Sequence, residues 1–286
     1  MTWLYYAIGS AFFAGITAIL AKVGIKKTDS DLATALRTIV VLLCACFMVK
    51  LVGSYEGIHS ISRKSFIFLI LSGMATGASW LLYFRALQLG NVNKVAPIDK
   101  MSTVLTMLLA ILLLGEEATK YKIVAMVLIT IGTYMMASRA EGSRKTGNHK
   151  WLVYALLSAV FASLSTILGK IGIDHVESNL GTAIRTVVVL LMSWLIVFMK
   201  GKQKQFKTIT FQSGIYICLS GVTTGLSWLC YYRALQMGEA SVVVPIDKLS
   251  IVLTVVFSSV FLNEHLSKKA MTGLIFIVAG TIFLLL

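Results

Sequence analysis

Twelve ionisable side chains lie within or at the edges of apolar stretches of this chain, and they come in pairs. Lys22, Arg37, Arg85, Asp99, Lys100 and Glu116 recur 148 residues later as Lys170, Arg185, Arg233, Asp247, Lys248 and Glu264. A charge at the centre of a bilayer costs about 2.5–3.5 kcal/mol on insertion scales, so such groups persist only where they are paired, near an interface or facing a wet cavity. Their chemistry is recognition rather than bond making. The guanidinium fork of arginine holds a carboxylate or phosphate through two parallel hydrogen bonds, and an intramembrane aspartate can carry a coupling proton. Aromatic residues accompany the arginines: Trp80 and Tyr83 precede Arg85, and Trp228 and Tyr231 precede Arg233. The chain's only two prolines, Pro97 and Pro245, open the tetrapeptide PIDK in each half. Proline inside a span removes a backbone hydrogen bond and frees carbonyls that hold ions or substrates, whereas at the first turn of a helix it is simply tolerated. The sequence leaves both readings of PIDK open.

The elements that must position these groups are membrane spans. The 286 residues are 57% apolar and only 13% charged, with a mean hydropathy of +0.85. A soluble domain carries about a quarter charged residues, so that class is excluded. Ten stretches have the length and apolarity of a spanning helix: 3–21, 32–49, 65–87, 92–114, 123–137, 151–169, 180–199, 212–235, 241–262 and 270–286. They take up about 200 residues and leave under roughly 10 per connection, which rules out a sizeable extramembrane domain. The connections Lys50–Lys64, Ser138–Lys150 and Lys200–Thr210 read as solvated loops, and the middle one divides the chain.

Laying residues 1–138 over 149–286 without a gap gives about 57 identical positions, roughly 41%, so the chain is a tandem repeat. ALRTIVVLL meets AIRTVVVLL, LSGMATGASWLLYFRALQLG meets LSGVTTGLSWLCYYRALQMG, and APIDKMSTVLT meets VPIDKLSIVLT. Each half holds five spans, an odd number, so the second half enters the bilayer from the opposite side. The predicted fold is an all-α integral membrane protein of ten transmembrane helices in two inverted five-helix repeats, 1–138 and 151–286, joined by a basic loop at 139–150. Inverted repeats are the hallmark of secondary transporters, whose substrate site lies near mid-bilayer at the repeat interface.

Several of these residues carry a resemblance. A proline early in the fourth span of each half (Pro97, Pro245), a glutamate ending it (Glu116 in LGEEAT, Glu264 in LNEHLS) and a glycine in the fifth (Gly132, Gly280) resemble the EamA-type transporters of the drug/metabolite transporter superfamily. PIDK resembles a bacterial and archaeal subgroup variant. The resemblance implies ten spans and a transporter. It disfavours export of cationic drugs, because the first and sixth spans lack the acid that small multidrug exporters use.

Topology predicts depth. Lys22, Arg37, Arg85, Asp99 and Lys100 lie toward one face, and by inversion Lys170, Arg185, Arg233, Asp247 and Lys248 lie toward the other. Two equivalent polar clusters follow, one per mouth, with Glu116 and Glu264 as helix-end carboxylates. Alternating gates are one reading, with Asp99 pairing Arg37 or Arg85 on one side and Asp247 pairing Arg185 or Arg233 on the other. Snorkelling of the long cations to the headgroups, and an interfacial role for Trp80, Tyr83, Trp228 and Tyr231, is the plainer alternative. Small residues at Gly73, Thr76, Gly77 and Ser79, and at their mates in span eight, read as a cavity wall that lets helices approach.

The surplus of fixed positive charge favours a small anionic or zwitterionic metabolite, with Asp99 and Asp247 available for proton coupling and exchange or uniport equally open. An intramembrane enzyme, a passive channel and a flippase for a lipid-linked substrate are the alternatives. The four cysteines read as free buried thiols, the four histidines are scattered without ligand spacing, and no phosphate-binding loop occurs. No metal, cofactor or nucleic acid is therefore expected; the partners are the bilayer and the solute, for a monomer or homodimer. The net charge of +14 also has an address in it. Thirteen loop lysines and arginines lie on the side reached after odd-numbered spans and five on the side of the termini. The positive-inside rule then places the central loop in the cytoplasm, both termini outside, and the protein in the cytoplasmic membrane.

Overall fold

The structure is a computed structural model that describes residues 2–24, 28–89, 95, 98, 100–137, 150–262 and 267–286. Among the described residues the regular structure is entirely helical. From the first repeat come α1 (Thr2–Gly24), α2 (Ser30–Val52), α3 (Arg63–Leu89), α4 (Ser102–Leu114) and α5 (Lys120–Ala137). From the second come α6 (Lys150–Gly172), α7 (Ser178–Met199), α8 (Phe211–Met237), α9 (Ala240–Lys248), α10 (Ser250–Leu262) and α11 (Lys268–Phe283). Among the described residues seven spans, on α1, α2, α3, α6, α7, α8 and across α9–α10, are long and apolar enough to cross a membrane. The other three expected spans are met by shorter helices: α4 with 13 residues, α5 with 18 and α11 with 16.

The ends are set by local chemistry. Asp29 accepts hydrogen bonds from the N–H groups of Asp31 and Leu32 and so starts α2, and its mate Glu177 does the same for Asn179 and Leu180 at α7. Gly53, at φ 74°, closes α2 in the left-handed conformation that glycine adopts without strain. Two of the expected loops instead wind into short 3-10 helices, Ser54–Ser60 and Lys202–Thr208. The ninth span is broken rather than continuous. Pro245 sits inside α9, the turn tightens so that the Leu249 N–H bonds the Ile246 carbonyl, and α10 resumes at Ser250. Pro97 lies outside the described residues.

Packing runs opposite to that of a soluble protein. Tyr5, Leu112, Phe211 and Ile275 face outward, while Ser10, Ser72, Ser158, Ser163 and Thr182 are fully buried. Lipid is as apolar as leucine, so association rests on close backbone approach and interhelical hydrogen bonds, and small polar residues fill the interfaces. The chain divides into two compact units, each drawing on both repeats. Unit 1 comprises Met1–Gly77 with Leu168–Gly238, and unit 2 Ala78–Ile167 with Glu239–Leu286. In unit 1, α1 packs along α8, and α2 packs on α7 and α8. In unit 2, α5 packs along α11 and α4 on α9. The repeat shows in single contacts: Ser10 meets Ser227 at 3.3 Å in unit 1, and their mates Ser158 and Ser79 meet at 3.2 Å in unit 2.

Candidate functional site

Among the described residues the most enclosed intramembrane cation is Arg185, only 3% exposed. It stands eight residues past the Glu177 cap, about 12 Å along α7 at the helical rise. Its Nε donates to Ser72 Oγ at 3.2 Å and its Nη2 to Thr76 Oγ1 at 2.8 Å. Ser72 and Thr76 are four apart on α3 and present one face. On the other side the guanidinium carbon lies 5.1 Å from the Trp228 ring centroid and 4.5 Å from that of Tyr232, again four apart, on α8. Tyr231 meets Tyr232 edge to face, with ring centroids 5.3 Å apart. Burying a guanidinium without such contacts would be prohibitive; donors matched to hydroxyls and a plane set against aromatic faces make it tolerable.

Glycines make the room. A Cβ on Gly73 would fall 2.9 Å from the Arg185 carbonyl oxygen and 2.7 Å from Val188 Cβ. One on Gly169 would fall 2.8 Å from the Tyr232 ring and 3.0 Å from Ser72 Oγ. The equivalent crossing of α2 and α8 is just as close, since a Cβ on Gly221 would sit 3.0 Å from the Arg37 carbonyl and 2.6 Å from Val40 Cβ. The side chains differ. Arg37 is half-buried, and within unit 1 its guanidinium forms no hydrogen bond or ion pair with a described residue. Ser220 and Thr224, the mates of Ser72 and Thr76, donate to the carbonyls of Ile217 and Ser220 on their own helix, at 2.8 and 2.6 Å, as Thr76 does to the Ser72 carbonyl at 3.1 Å.

The other expected residues have separate surroundings. Lys170 Nζ donates to the Gly238 carbonyl at 2.7 Å, and Arg233 donates to Gln236 Oε1 at 2.8 Å. Gln236 in turn donates to the carbonyls of Ile173 and Val176. In unit 2, Asp247 is 8% exposed and lies 3.5 Å from the ammonium of its neighbour Lys248. Arg85 and Lys100 are exposed, Trp80 is half-buried, and Tyr83 packs on Ala86, Val95 and Ala155. Glu116 accepts the N–H groups of Ala240 at 2.6 Å and Ser241 at 2.9 Å, so this helix-end carboxylate caps α9. Asp99 and Glu264 lie outside the described residues. Among the thiols, Cys44 and Cys230 are partly buried, whereas Cys46 and Cys218 are exposed on their helices, so the expected burial holds for part of the set.

Two ionic groups escaped the sequence reading. Lys202 bonds Asp29 and lies 2.9 Å from Asp31, and Lys200 lies 2.8 Å from Asp31, so lysines read as loop charges grip the start of α2. In unit 2 the buried Lys122 meets Glu239 at 2.6 Å. The signal that finds them is the reverse of the one used: their 148-residue mates, Asn179 for Asp31, Val52 for Lys200, Ser54 for Lys202, Ala270 for Lys122 and Asn91 for Glu239, carry no charge.

Residues 1–138 and 149–286 each match the model of the EamA-like transporter family. A protein of Sinorhizobium sp described as an uncharacterized transporter in the cobO 3' region is 41% identical over 136 residues, 48% of this chain and 96% of that protein. An uncharacterized transporter of Archaeoglobus fulgidus is 22% identical over 289 residues, spanning 100% of this chain and 99% of that one. A crystal structure 16% identical in sequence superposes with a TM-score of 0.78, covering 96% of this chain and 94% of that chain, a likeness of fold.

Proposed function

The chain belongs to the EamA-like transporter family, and from that premise we propose that it is a secondary active transporter of a small anionic or zwitterionic organic solute, working by alternating access across the cytoplasmic membrane. The observation that carries this reading is the Arg185 cradle and its repeat mate Arg37. A guanidinium kept deep in a span, against hydroxyls and aromatic faces that can release it, is a group with a use beyond packing. Alternating access needs two states of comparable energy, and an inverted repeat supplies them, because each gate has a mate built from the same residue types. Asp99 and Asp247 are the candidate proton carriers. The thirteen-to-five bias of loop cations supports a cytoplasmic central loop and external termini. The multi-pass apolar helices and the transporter names of the relatives agree with a carrier rather than an enzyme.

The test is counterflow in proteoliposomes. Vesicles preloaded with one unlabelled solute from a panel of carboxylates, phosphate esters and amino acids are diluted into its labelled form. The expected result is saturable uptake, stimulated several-fold by preloading, for at least one acidic solute. Uptake linear in concentration and indifferent to preloading would identify a channel, and stimulation confined to cationic solutes would overturn the anionic assignment.

A further inference from the structure

The two repeats place the same arginine in two different states, and from that asymmetry we infer that Arg37 is the residue that receives the anionic group of the solute in this conformation, while Arg185 is its mate held in reserve. The inference rests on the transport reading above and adds which arginine is loaded. The backbone crossings beside the two residues are alike: a Cβ on Gly73 would lie 2.9 Å from the Arg185 carbonyl and one on Gly221 3.0 Å from the Arg37 carbonyl, although a turn further on a Cβ on Gly77 would be closer to Met192 (2.5 Å) than one on Gly225 to Cys44 (2.9 Å). Helix separation therefore does not explain the difference. What differs is whether the guanidinium engages the groups around it.

Arg185 has two hydroxyl acceptors and two aromatic faces, and is buried. Arg37 is half-buried and has no polar partner among the described residues; Ser220 and Thr224, at the matching positions, donate to their own helix just as Thr76 does, but accept nothing from Arg37. In sequence the mate of Tyr232 is Phe84, a ring without a phenol oxygen. A guanidinium cannot shed its proton at any working pH. An arginine within a span whose donors meet no acceptor among the described residues has its fork open to a ligand of opposite charge, and carboxylate and phosphate match that fork. When the conformation inverts, the mates exchange environments: Arg37 is taken up by its helix neighbours and Arg185 is released to the opposite mouth.

Arginine-specific labelling tests this without a variant. The whole protein in dodecyl maltoside, a detergent that carries neither phosphate nor carboxylate, is treated with phenylglyoxal, and the peptides bearing Arg37 and Arg185 are followed by mass spectrometry. Arg37 is expected to label about tenfold faster or more, because Arg185 must first give up charged hydrogen bonds. Sodium phosphate, succinate or pyruvate, against sodium chloride at equal ionic strength, is expected to slow labelling of Arg37 and leave Arg185 unchanged. Equal labelling, or faster labelling of Arg185, overturns the asymmetry. Protection by phosphatidylglycerol alone assigns Arg37 to a lipid headgroup, and protection by none of the anions removes the site; either overturns the inference. Because labelling requires no transport, failure here beside positive counterflow leaves the transporter reading intact, and the converse leaves an anion-binding arginine without a carrier.

Discussion

At the scale of single residues, Asp29 shows how one loop carboxylate can matter to a membrane helix. Burial by itself pushes its carboxyl upward, but the hydrogen bond from Lys202 and those from the Leu32 and Asp31 backbone outweigh this and hold it below the usual carboxylate range. Lys202 moves the other way: burial disfavours its ammonium, and Asp29 with Asp31 more than compensate, raising it above the usual lysine value. A carboxyl depressed in the fold contributes stability above its unfolded pKa and loses it as pH falls through the folded one. An ammonium raised in the fold contributes fully below its unfolded pKa and loses that as pH rises through the folded one. The pair therefore supports the start of α2 across the neutral range, and its acid loss begins below about pH 4. Wild type is expected to lose about 2–4 °C more of its thermal midpoint than Asp29→Asn between pH 5 and pH 3. Parallel melting curves for the two proteins over that interval would remove Asp29 from the account.

At the scale of elements, the crossing of α5 with α11 is the sharpest case of backbone contact. A Cβ on Gly132 would lie 2.5 Å from the Gly273 carbonyl oxygen, and one on Gly273 2.6 Å from that of Gly132, so neither helix can yield without separating. Gly132→Ala is expected to destabilise the protein by about 1–3 kcal/mol. Gly214→Ala, in the first turn of α8 with nothing within 4 Å of its Cβ, is expected to be neutral or to stabilise by up to about 1 kcal/mol. Equal melting of the two variants in detergent would show that the crossing is not close-packed. Gly132 and its mate Gly280 were legible in the sequence, as were most span positions, because apolarity and the 148-residue shift report them directly. The break at Leu249 was legible only in part, since Pro245 and the charged Asp247 and Lys248 mark the place within an apolar span but fit a helix start as well as a break. The cradle was half legible. Arg185 and Trp228 declare themselves as a charge and a repeated indole within an apolar span. Ser72 does not, because a hydroxyl in such a helix usually bonds the carbonyl four residues back, as Thr34, Thr38, Thr182 and Thr186 do. The Asp29–Lys202 group was hidden for another reason: duplicated charges within spans drew attention, whereas Asp31, Lys200 and Lys202 occur once and Asp29, though matched by Glu177, lies in a connection.

At the scale of the whole molecule, the repeats and the compact units are different partitions of one chain. The main partners, α1 with α8, α2 with α7 and α8, α4 with α9 and α5 with α11, each join a helix of the first repeat to one of the second. A single repeat thus inserts its helices through their own apolarity but leaves their glycine and serine faces without the surfaces they fit, and in lipid it is these faces, not apolar area, that drive association. The Sinorhizobium relative is matched over 96% of its length by 48% of this chain, about the length of one repeat. The covalent link at the central loop should then be dispensable while the second repeat is not. Residues 1–138 and 149–286 produced together as separate chains, one tagged, are expected to leave the membrane as a single stoichiometric complex, with the transport of the intact protein largely retained. Residues 1–138 produced alone are expected to reach the membrane but to elute as a polydisperse species with a broad thermal transition. A lone first half that is monodisperse and melts cooperatively as a monomer would mean that each repeat folds on its own, and that the pairings between repeats are incidental to the fold rather than its basis.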